Sequence, residues 1–309
     1  MSLLPNTQFH KLVNDIRTKD IYPDQPQRAI DWQAYTHNEI NNIIQTLDFI
    51  KQEVDKISLP VKRKTGRPLT NPHSLAKAIL LCEELGIDER NAQGWINILG
   101  PRIGINEQLD DRVIGDASTK EEVLYILKKV FENNKDSDGR LNGDGTHVEH
   151  TRKQNHETGC TKNTTPLTSI VDSREIVQAF DTEQHEREAI RQLLSQVDGE
   201  SLRLDAGFVD RELTKNIVAL GMTPFIFPKR NTNLKGHPSW KNMYFALLKD
   251  TIQWLIEYHQ RSHCESFHSS FKRIFGIVTK RRPASKLAQI TARIILHNRR
   301  RLAYFRMMD

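Results

Sequence analysis

Four polar residues late in the chain have types and spacings suited to chemistry on phosphate. They are Tyr258, Arg261, Glu265 and Lys272, in a stretch without glycine or proline that predicts one helix over residues 254–275. At 100° per residue the four side chains fall within an arc of about 60°, so they share one helix face. A carboxylate binds hard cations such as Mg2+, and Arg and Lys bind phosphate oxygens. The spacing therefore indicates phosphoryl chemistry on a nucleic acid.

The opposite face of this predicted helix is apolar. We expect its side chains to be buried in a core, and they are Ile252, Ile256, Phe267, Phe271 and Ile274. The alternative interpretation of the polar face is a solvated surface with one i,i+4 ion pair. The spacing by itself does not decide between these interpretations, so partner residues elsewhere in the chain must.

Two aspartates upstream complete a candidate set of metal ligands. Asp144 and Asp205 lie where predicted strands end, and each precedes a glycine within two residues. Three converging carboxylates repel one another unless cations lie between them, and two divalent ions can stabilise both the attacking and the leaving oxygen of a phosphodiester. An aspartate before a glycine is also a common turn residue. The order Asp, Asp, Glu, with about 60 residues between successive acids, favours the metal site.

The composition bounds the class of protein. Hydrophobic residues make up 37% and charged residues 27% of the 309 residues, which is typical of globular and not disordered chains. A net charge of +6 favours a polyanionic partner, nucleic acid first. Cys82, Cys160 and Cys264 form no CxxC pair, which argues against a disulfide scaffold or a zinc ribbon. Without a transmembrane run or a signal-peptide pattern, we expect a cytoplasmic, nucleoid-associated protein.

The first part of the chain predicts a mostly α-helical domain over residues 1–135. Residues 1–37 are polar and contain three prolines, which predicts a loose leader. Residues 38–57 carry Ile, Leu or Val at every third or fourth position, which indicates a helix. Its apolar stripe either packs within its own domain or forms a coiled-coil or dimer seam.

A short basic arm follows at residues 61–72. Glycine and proline disfavour a helix here, and between them lie Lys62, Arg63, Lys64 and Arg67. An extended basic arm can lie along phosphates or enter a minor groove of DNA. A solvated linker is the alternative.

The segment between the arm and residue 135 predicts three further helices. Two short ones, at residues 74–85 and 89–99, join at Gly86 and are compatible with a DNA-reading unit. Residues 100–115 predict a loop, and Ser118 and Glu121 predict a capping box. The inner face of the helix that it starts is Val123, Ile126, Leu127, Val130 and Phe131.

Beyond residue 135 strands and helices mix, which predicts a mixed α/β domain over residues 136–309. Predicted strands cover residues 141–148, 165–171, 201–204 and 223–228, and predicted helices cover 183–197, 210–220, 254–275 and 285–301. The run Arg299 to Arg301 predicts a solvated helix end, with phosphate contact as the alternative.

A histidine-rich stretch offers a competing metal site. It contains His147, Glu149, His150, His156 and Cys160. His147 and His150 are three residues apart on a predicted strand and face opposite sides. Ordinary polar residues near a DNA groove are therefore favoured over a zinc site.

Together these motifs resemble the DDE transposases of bacterial and archaeal insertion sequences, in the group with the signature Y-x2-R-x3-E-x6-K. The signature is complete in the four polar residues described first. The stretches NGDGT around Asp144 and LDAGF around Asp205 are similar to the first two acidic motifs of the family, and GMTPFIFPK is similar to its G-x-x-P-x-I-P-x-K strand. The resemblance covers roughly residues 140–300.

The resemblance implies an RNase H-like catalytic domain, with Asp144, Asp205 and Glu265 as catalytic ligands of two Mg2+ or Mn2+ ions. It also implies that Arg261 and Lys272 hold phosphates. Tyr258 would stack or hydrogen-bond beside them. The short interval from Asp205 to Glu265 sets the chain apart from members with a large β-rich insertion there.

One motif departs from the family pattern. The family often has a His-Asp pair before its core helix, where this chain has Glu183-Gln-His185-Glu186. His185 is therefore left without an expected role.

The expected function is a DNA transposase that cuts at the ends of an insertion sequence and joins the freed 3′-hydroxyl to target DNA. We expect a homodimer on double-stranded DNA, with residues 1–135 recognising the terminal repeats. One alternative is a metal-dependent nuclease of the same fold that only hydrolyses DNA. A domesticated DNA-binding protein without catalysis is the other, and the presence of all three acids argues against it.

Overall fold

The computed structural model describes residues 6–19, 21, 29–60, 70–151 and 163–308. Several residues with predicted roles lie outside these ranges, so those predictions stay predictions; they are Lys62, Arg63, Lys64, Arg67, His156 and Cys160. None of the helices in the described ranges combines the length and the apolarity that a membrane span needs.

The chain divides into two compact units. The sheet unit comprises Met1–Ala29, Asp136–His147 and Pro166–Ser269. The helical unit comprises Ile30–Lys135, Val148–Thr165 and Ser270–Asp309. The predicted assignment of residues 1–135 to DNA binding and of 136–309 to catalysis stays a prediction.

A five-stranded mixed sheet organises the sheet unit. Its strands are β1 (Arg140–Glu149), β2 (Thr164–Val171), β3 (Val177–Asp181), β4 (Ser201–Leu204) and β5 (Thr223–Ile226), in the order β3-β2-β1-β4-β5. β2 pairs with β3 antiparallel, whereas β4 pairs parallel with both β1 and β5. The mixed α/β class is therefore confirmed. β3 was not predicted from the sequence, although the turn before it is marked by Asp172, whose Oδ1 accepts from the Arg174 and Ile176 N–H groups.

Helices cover this sheet and close an apolar core. They are α1 (Asn6–Thr18), α7 (Glu186–Leu193), α8 (Arg211–Ala219), α9 (Pro238–Lys249), α10 (Thr251–His259) and α11 (Ser262–Phe275), the last of which leaves the unit after Ser269. α8 begins at its N-cap Asp210, whose carboxylate accepts from the Leu213 N–H. α9 was also missed by the sequence analysis.

The prediction of a loose leader over residues 1–37 is wrong for its first helix. α1 buries Phe9, Val13 and Ile16, which recur at the spacing of one helix face. The ring of Phe9 lies 5.2 Å from that of Tyr244 in α9. Three apolar residues are a weak local signal for a helix. The segment Asn6–Thr18 is helical because the core covers these side chains.

The helical unit packs around one long helix, α12 (Pro283–Phe305). Around it lie α2 (Trp32–Asp55), α3 (Pro72–Leu85), α4 (Glu89–Ile103), α5 (Asp111–Ala117) and α6 (Glu121–Asn133). α12 contacts α2, α3 and α6. The predicted inner face of α6 is confirmed, since all five of its apolar residues are buried.

Two local predictions in this unit are wrong. The predicted loop over 100–115 is right for residues 104–110 and wrong at both ends, because α4 continues to Ile103, where Gly104 with a φ of 76° ends it, and α5 begins at Asp111. Ser118 forms no capping box, because Lys120 is the N-cap of α6 and offers no side-chain bond. The Ser118 hydroxyl instead lies 3.1 Å from the Gly115 carbonyl and 2.9 Å from the Ser285 hydroxyl, so it can donate to the carbonyl while it accepts from Ser285, and both serines are buried.

The arginine run near the C-terminus is a packing element and not a solvated helix end. Arg299 is buried and bonds to Asn42 of α2. Arg300 pairs with Glu84 of α3 at 2.8 Å. These cations tie α12 to its neighbours, which corrects the expectation of solvation and leaves Arg299 little surface for phosphate.

A buried ion pair holds the sheet to α10. Arg203 in β4 is 1% exposed, and its Nη2 donates to Glu257 Oε2 at 2.6 Å while its Nε donates to the Glu257 carbonyl at 2.7 Å. Burial lowers the pKa of Arg203, and the Glu257 charge opposes that change. Glu257 itself is 34% exposed, so the cation depends on the pair more than the anion does.

We therefore predict an asymmetric response to substitution. Glu257→Ala leaves a buried cation without its counter-ion and should lower the free energy of unfolding by about 3–5 kcal/mol. Arg203→Met/Glu257→Ala removes the stranded charge and should lose clearly less. Urea unfolding at pH 7 measures both, and an equal loss in the two variants would contradict this account of the pair.

Candidate active site

The predicted single helix over residues 254–275 is two helices. The N–H groups of Gln260 and Arg261 bond to carbonyls three residues back, which tightens the chain and ends α10. Tyr258 therefore lies in the last turn of α10, Arg261 lies in the junction, and Glu265 lies in the first turn of α11. No glycine or proline marks the break, so periodicity could not predict it. The four polar residues therefore do not share one continuous helix face, contrary to the prediction.

The predicted buried stripe is half right. Phe267 and Phe271 are fully buried, whereas Ile252, Ile256 and Ile274 are 47%, 36% and 40% exposed. Ile252 and Ile256 lie before the break, on α10, whereas Ile274 lies on α11 with the two phenylalanines and is exposed near the end of that helix.

Tyr258 is a core residue. Its ring stacks on Trp254 with centroids 5.4 Å apart and lies 5.4 Å from the ring of Phe227. The guanidinium of Arg261 lies over the same ring, 5.8 Å from its centroid. The Tyr258 ring is therefore placed to hold the Arg261 guanidinium in position through this cation–π contact.

The parallel pairing of β1 and β4 brings the two aspartates together. Gly143 pairs with Leu204, and the next residue on each strand is an aspartate. Neighbouring strands are about 4.8 Å apart, so Asp144, in the middle of β1, and Asp205, directly after β4, lie side by side. The prediction that Asp144 lies where a strand ends is wrong, because β1 continues to Glu149. In each aspartate, Oδ1 accepts from the following backbone N–H, at 2.9 Å for Asp144 and 2.6 Å for Asp205. These bonds orient the carboxylates and do not use Oδ2.

Electrostatics place Glu265 in the same group. Burial raises the pKa of Asp144 to about 6, and the charges of Asp205 and Glu265 add to the rise. The Gly145 N–H and Arg261 oppose it. The three predicted acids therefore lie close enough for their charges to interact.

Arg261 is the counter-ion within this group. Its Nη1 donates to Glu265 Oε1 at 2.6 Å, and about half of the Glu265 side chain is exposed. In the described ranges no three His, Cys, Asp or Glu side chains are gathered closely enough to hold a metal ion.

The donor set nevertheless fits a hard divalent cation. It consists of carboxylate oxygens alone, as Mg2+ and Mn2+ prefer. Burial is the main cause of the raised pKa of Asp144, and the charges of Asp205 and Glu265 add to it, so a cation beside Asp144 would favour its ionised form.

The candidate zinc ligands have other surroundings. Nε2 of His150 bonds with Thr165 Oγ1 at 2.6 Å, and the histidine is buried.

Lys272 lies in the last turn of α11, two turns beyond Glu265.

Two features of the site were missed by the sequence analysis. A Cβ added at Gly145 would lie 2.5 Å from Glu186 Oε1, so the glycine admits this carboxylate beside β1. A buried polar cluster of Ser169, Cys264 and His268 lies under α11. The i,i+4 spacing of Cys264 and His268 was the available signal, but their strand partner is far away in sequence.

Comparison with known proteins gives one family. A family model described as a transposase DDE domain matches residues 143–299, just over half of the chain, and the match contains Asp144, Asp205 and Glu265. Searches of curated proteins and of solved structures returned no match. The chain belongs to the DDE transposase family.

Proposed function

We propose that this transposase cuts DNA at the ends of an insertion sequence and joins the freed 3′-hydroxyl to target DNA. The observation that carries the proposal is the register of β1 and β4, which sets Asp144 beside Asp205, with Glu265 near enough to raise the pKa of Asp144. The strand order β3-β2-β1-β4-β5 supports an RNase H-like catalytic domain. Members of the family typically use divalent metal ions.

The proposed chemistry is phosphoryl transfer. Two Mg2+ or Mn2+ ions would stabilise the attacking and leaving oxygens of the phosphodiester. Asp144 and Asp205 would bind them from the sheet, and Glu265 would bind from α11 after turning away from Arg261. Arg261, released from that ion pair, would hold a phosphate oxygen. Water would be the nucleophile for cleavage, and the 3′-hydroxyl would be the nucleophile for joining.

DNA is held by other parts of the chain in this proposal. Residues 1–135 would recognise the terminal repeats, and the arm of Lys62, Arg63, Lys64 and Arg67 would contact phosphates. Lys272 lies about 10 Å along the helix axis from Glu265. It is therefore too far for metal binding, but its long side chain reaches a neighbouring phosphate.

We also propose that the protein works as a homodimer. The apolar stripe of α2 is buried at Leu47 and Ile50 but exposed at Ile40, Ile43 and Ile44, to 72%, 37% and 50%. An exposed apolar stripe of this kind is suited to self-association.

The first prediction concerns the chemistry. Cleavage and joining of the DNA that flanks the gene should require Mg2+ or Mn2+. Asp205→Asn should abolish both steps while DNA affinity changes little, because loss of one ligand disables a two-metal site. A gel assay that resolves cut from joined DNA measures this. Cut but unjoined products from the wild type would favour the nuclease alternative, and full cleavage by the variant would remove Asp205 from the site.

The second prediction separates metal ligands from phosphate contacts. Glu265→Ala should lose Mn2+ binding and keep its affinity for end DNA. Lys272→Ala should keep Mn2+ binding and weaken end-DNA binding. Neutralising the four arm residues should flatten the salt dependence, by about 0.9 in log–log slope for each lost phosphate contact.

Titrations of Mn2+ and of end DNA at several salt concentrations measure all three variants. Loss of Mn2+ binding in Lys272→Ala with retention in Glu265→Ala would reverse the proposed roles. An unchanged salt slope would make the arm a linker.

The third prediction concerns the dimer. Ile40→Asp/Ile44→Asp should convert the complex on end DNA to one protomer per end, because two charges cannot be buried in an apolar seam. Val218→Asp, at a position that is 39% exposed on α8, is the matched control. Light scattering gives the masses, and a dimer that survives the double substitution would exclude the α2 stripe.

A further inference from the structure

The buried face of α11 contains a small cluster of polar side chains. Phe267 and Cys264 are fully buried on this face, and His268 is 6% exposed among them. The residue that faces His268 is Ser169 of β2, which is also fully buried. Glu265 lies three residues before His268 on the same helix, about 60° away around the axis, and about half of its side chain is exposed.

The polar groups at this point are mutually satisfied. Ser169 Oγ and His268 Nε2 share a hydrogen bond of 2.9 Å, whose direction depends on the histidine tautomer. Cys264 Sγ lies 3.5 Å from Ser169 Oγ and donates weakly to the Ser169 carbonyl at 3.7 Å. Burial raises the pKa of the Cys264 thiol, and the Asp144 and Glu265 charges act in the same direction. Cys264 is therefore close enough to Asp144 and Glu265 for their charges to act on its thiol.

Apolar packing alone does not set the position of a helix on a sheet. The hydrophobic effect has no direction, and a helix can slide or rotate slightly without losing much buried area. A buried hydrogen bond does have direction, and its groups must stay paired because neither meets water. The Ser169–His268 bond thus admits one register of α11 on β2.

We propose that Ser169 and His268 are positioning residues that fix α11 in register and so aim Glu265 at Asp144 and Asp205. The inference rests on the proposed function, since it assigns these two residues a role in assembling the proposed metal site. Cys264 packs beside the bond and closes the gap between helix and sheet. Neither positioning residue contacts DNA or metal in this proposal.

The experiment replaces the polar pair with an apolar one in the full chain. Ser169→Ala/His268→Leu removes both partners together, so no buried polar group is stranded. His268→Gln keeps an amide that can bond to Ser169. Ser118→Ala/Ser285→Ala is the matched control. The buried hydrogen bond between these two hydroxyls, in the helical unit, is 2.9 Å long, the same length as the Ser169–His268 bond.

We expect the apolar double variant to keep its urea midpoint and its affinity for end DNA. Its half-saturation concentration for Mn2+, measured by electron paramagnetic resonance of the free ion, should rise roughly tenfold to a hundredfold, and cleavage should slow by a similar factor. His268→Gln should stay close to wild type in Mn2+ binding. The Ser118/Ser285 control should bind Mn2+ as the wild type does.

Wild-type Mn2+ binding and cleavage in the folded double variant would overturn the inference. If that variant does not fold, the single variants Ser169→Ala and His268→Gln provide the test. We expect Ser169→Ala to bind Mn2+ more weakly than His268→Gln, and equal Mn2+ binding by the two would overturn the inference. The proposed function fails separately: a wild-type protein that binds no Mn2+, or a Glu265→Ala variant that binds it normally, removes the metal site itself.

Discussion

Charge repulsion at the end of the β1–β4 pair is the constraint on which the sheet unit depends. Parallel pairing puts Asp144 and Asp205 at one level, and Glu265 approaches from a helix. The ionised form of Asp144 is unfavourable by itself, because burial and, to a smaller extent, the charges of Asp205 and Glu265 oppose its ionisation. The fold must hold the three acids together with free energy from elsewhere, chiefly the apolar core that runs from Phe9 to Tyr258.

Two buried polar contacts then set the geometry that apolar packing leaves open. Arg203 stands two residues before Asp205 on β4 and ties that strand to α10 through Glu257. Ser169 and His268 tie β2 to α11. Each bond joins the sheet to one of the two helices on either side of Arg261. The chain on each side of the junction therefore has a polar contact with the sheet.

The Arg261–Glu265 pair gives the site a resting arrangement. With the guanidinium at 2.6 Å, part of the negative charge is neutralised inside the protein. In the proposed mechanism a divalent ion would compete with Arg261 for the same carboxylate, and the released arginine would then bind a phosphate oxygen.

The sequence by itself indicated the candidate acids, their order and the strand or helix near which each lies. It could do so because these features are local: a strand that ends at Asp205, or a glycine beside Asp144, is visible within a few residues. The family resemblance and the mixed α/β class followed from them, and the family match over residues 143–299 confirmed the resemblance.

Only the tertiary structure decided which helices form at weak patterns and where polar groups are buried. α1 exists because a core covers Phe9, and the helix predicted over residues 254–275 divides because its two halves pack on different neighbours. Arg299 is buried and Ser118 caps nothing because partners far away in sequence bind them better. Such choices depend on contacts between distant segments, and no periodicity within one segment records them.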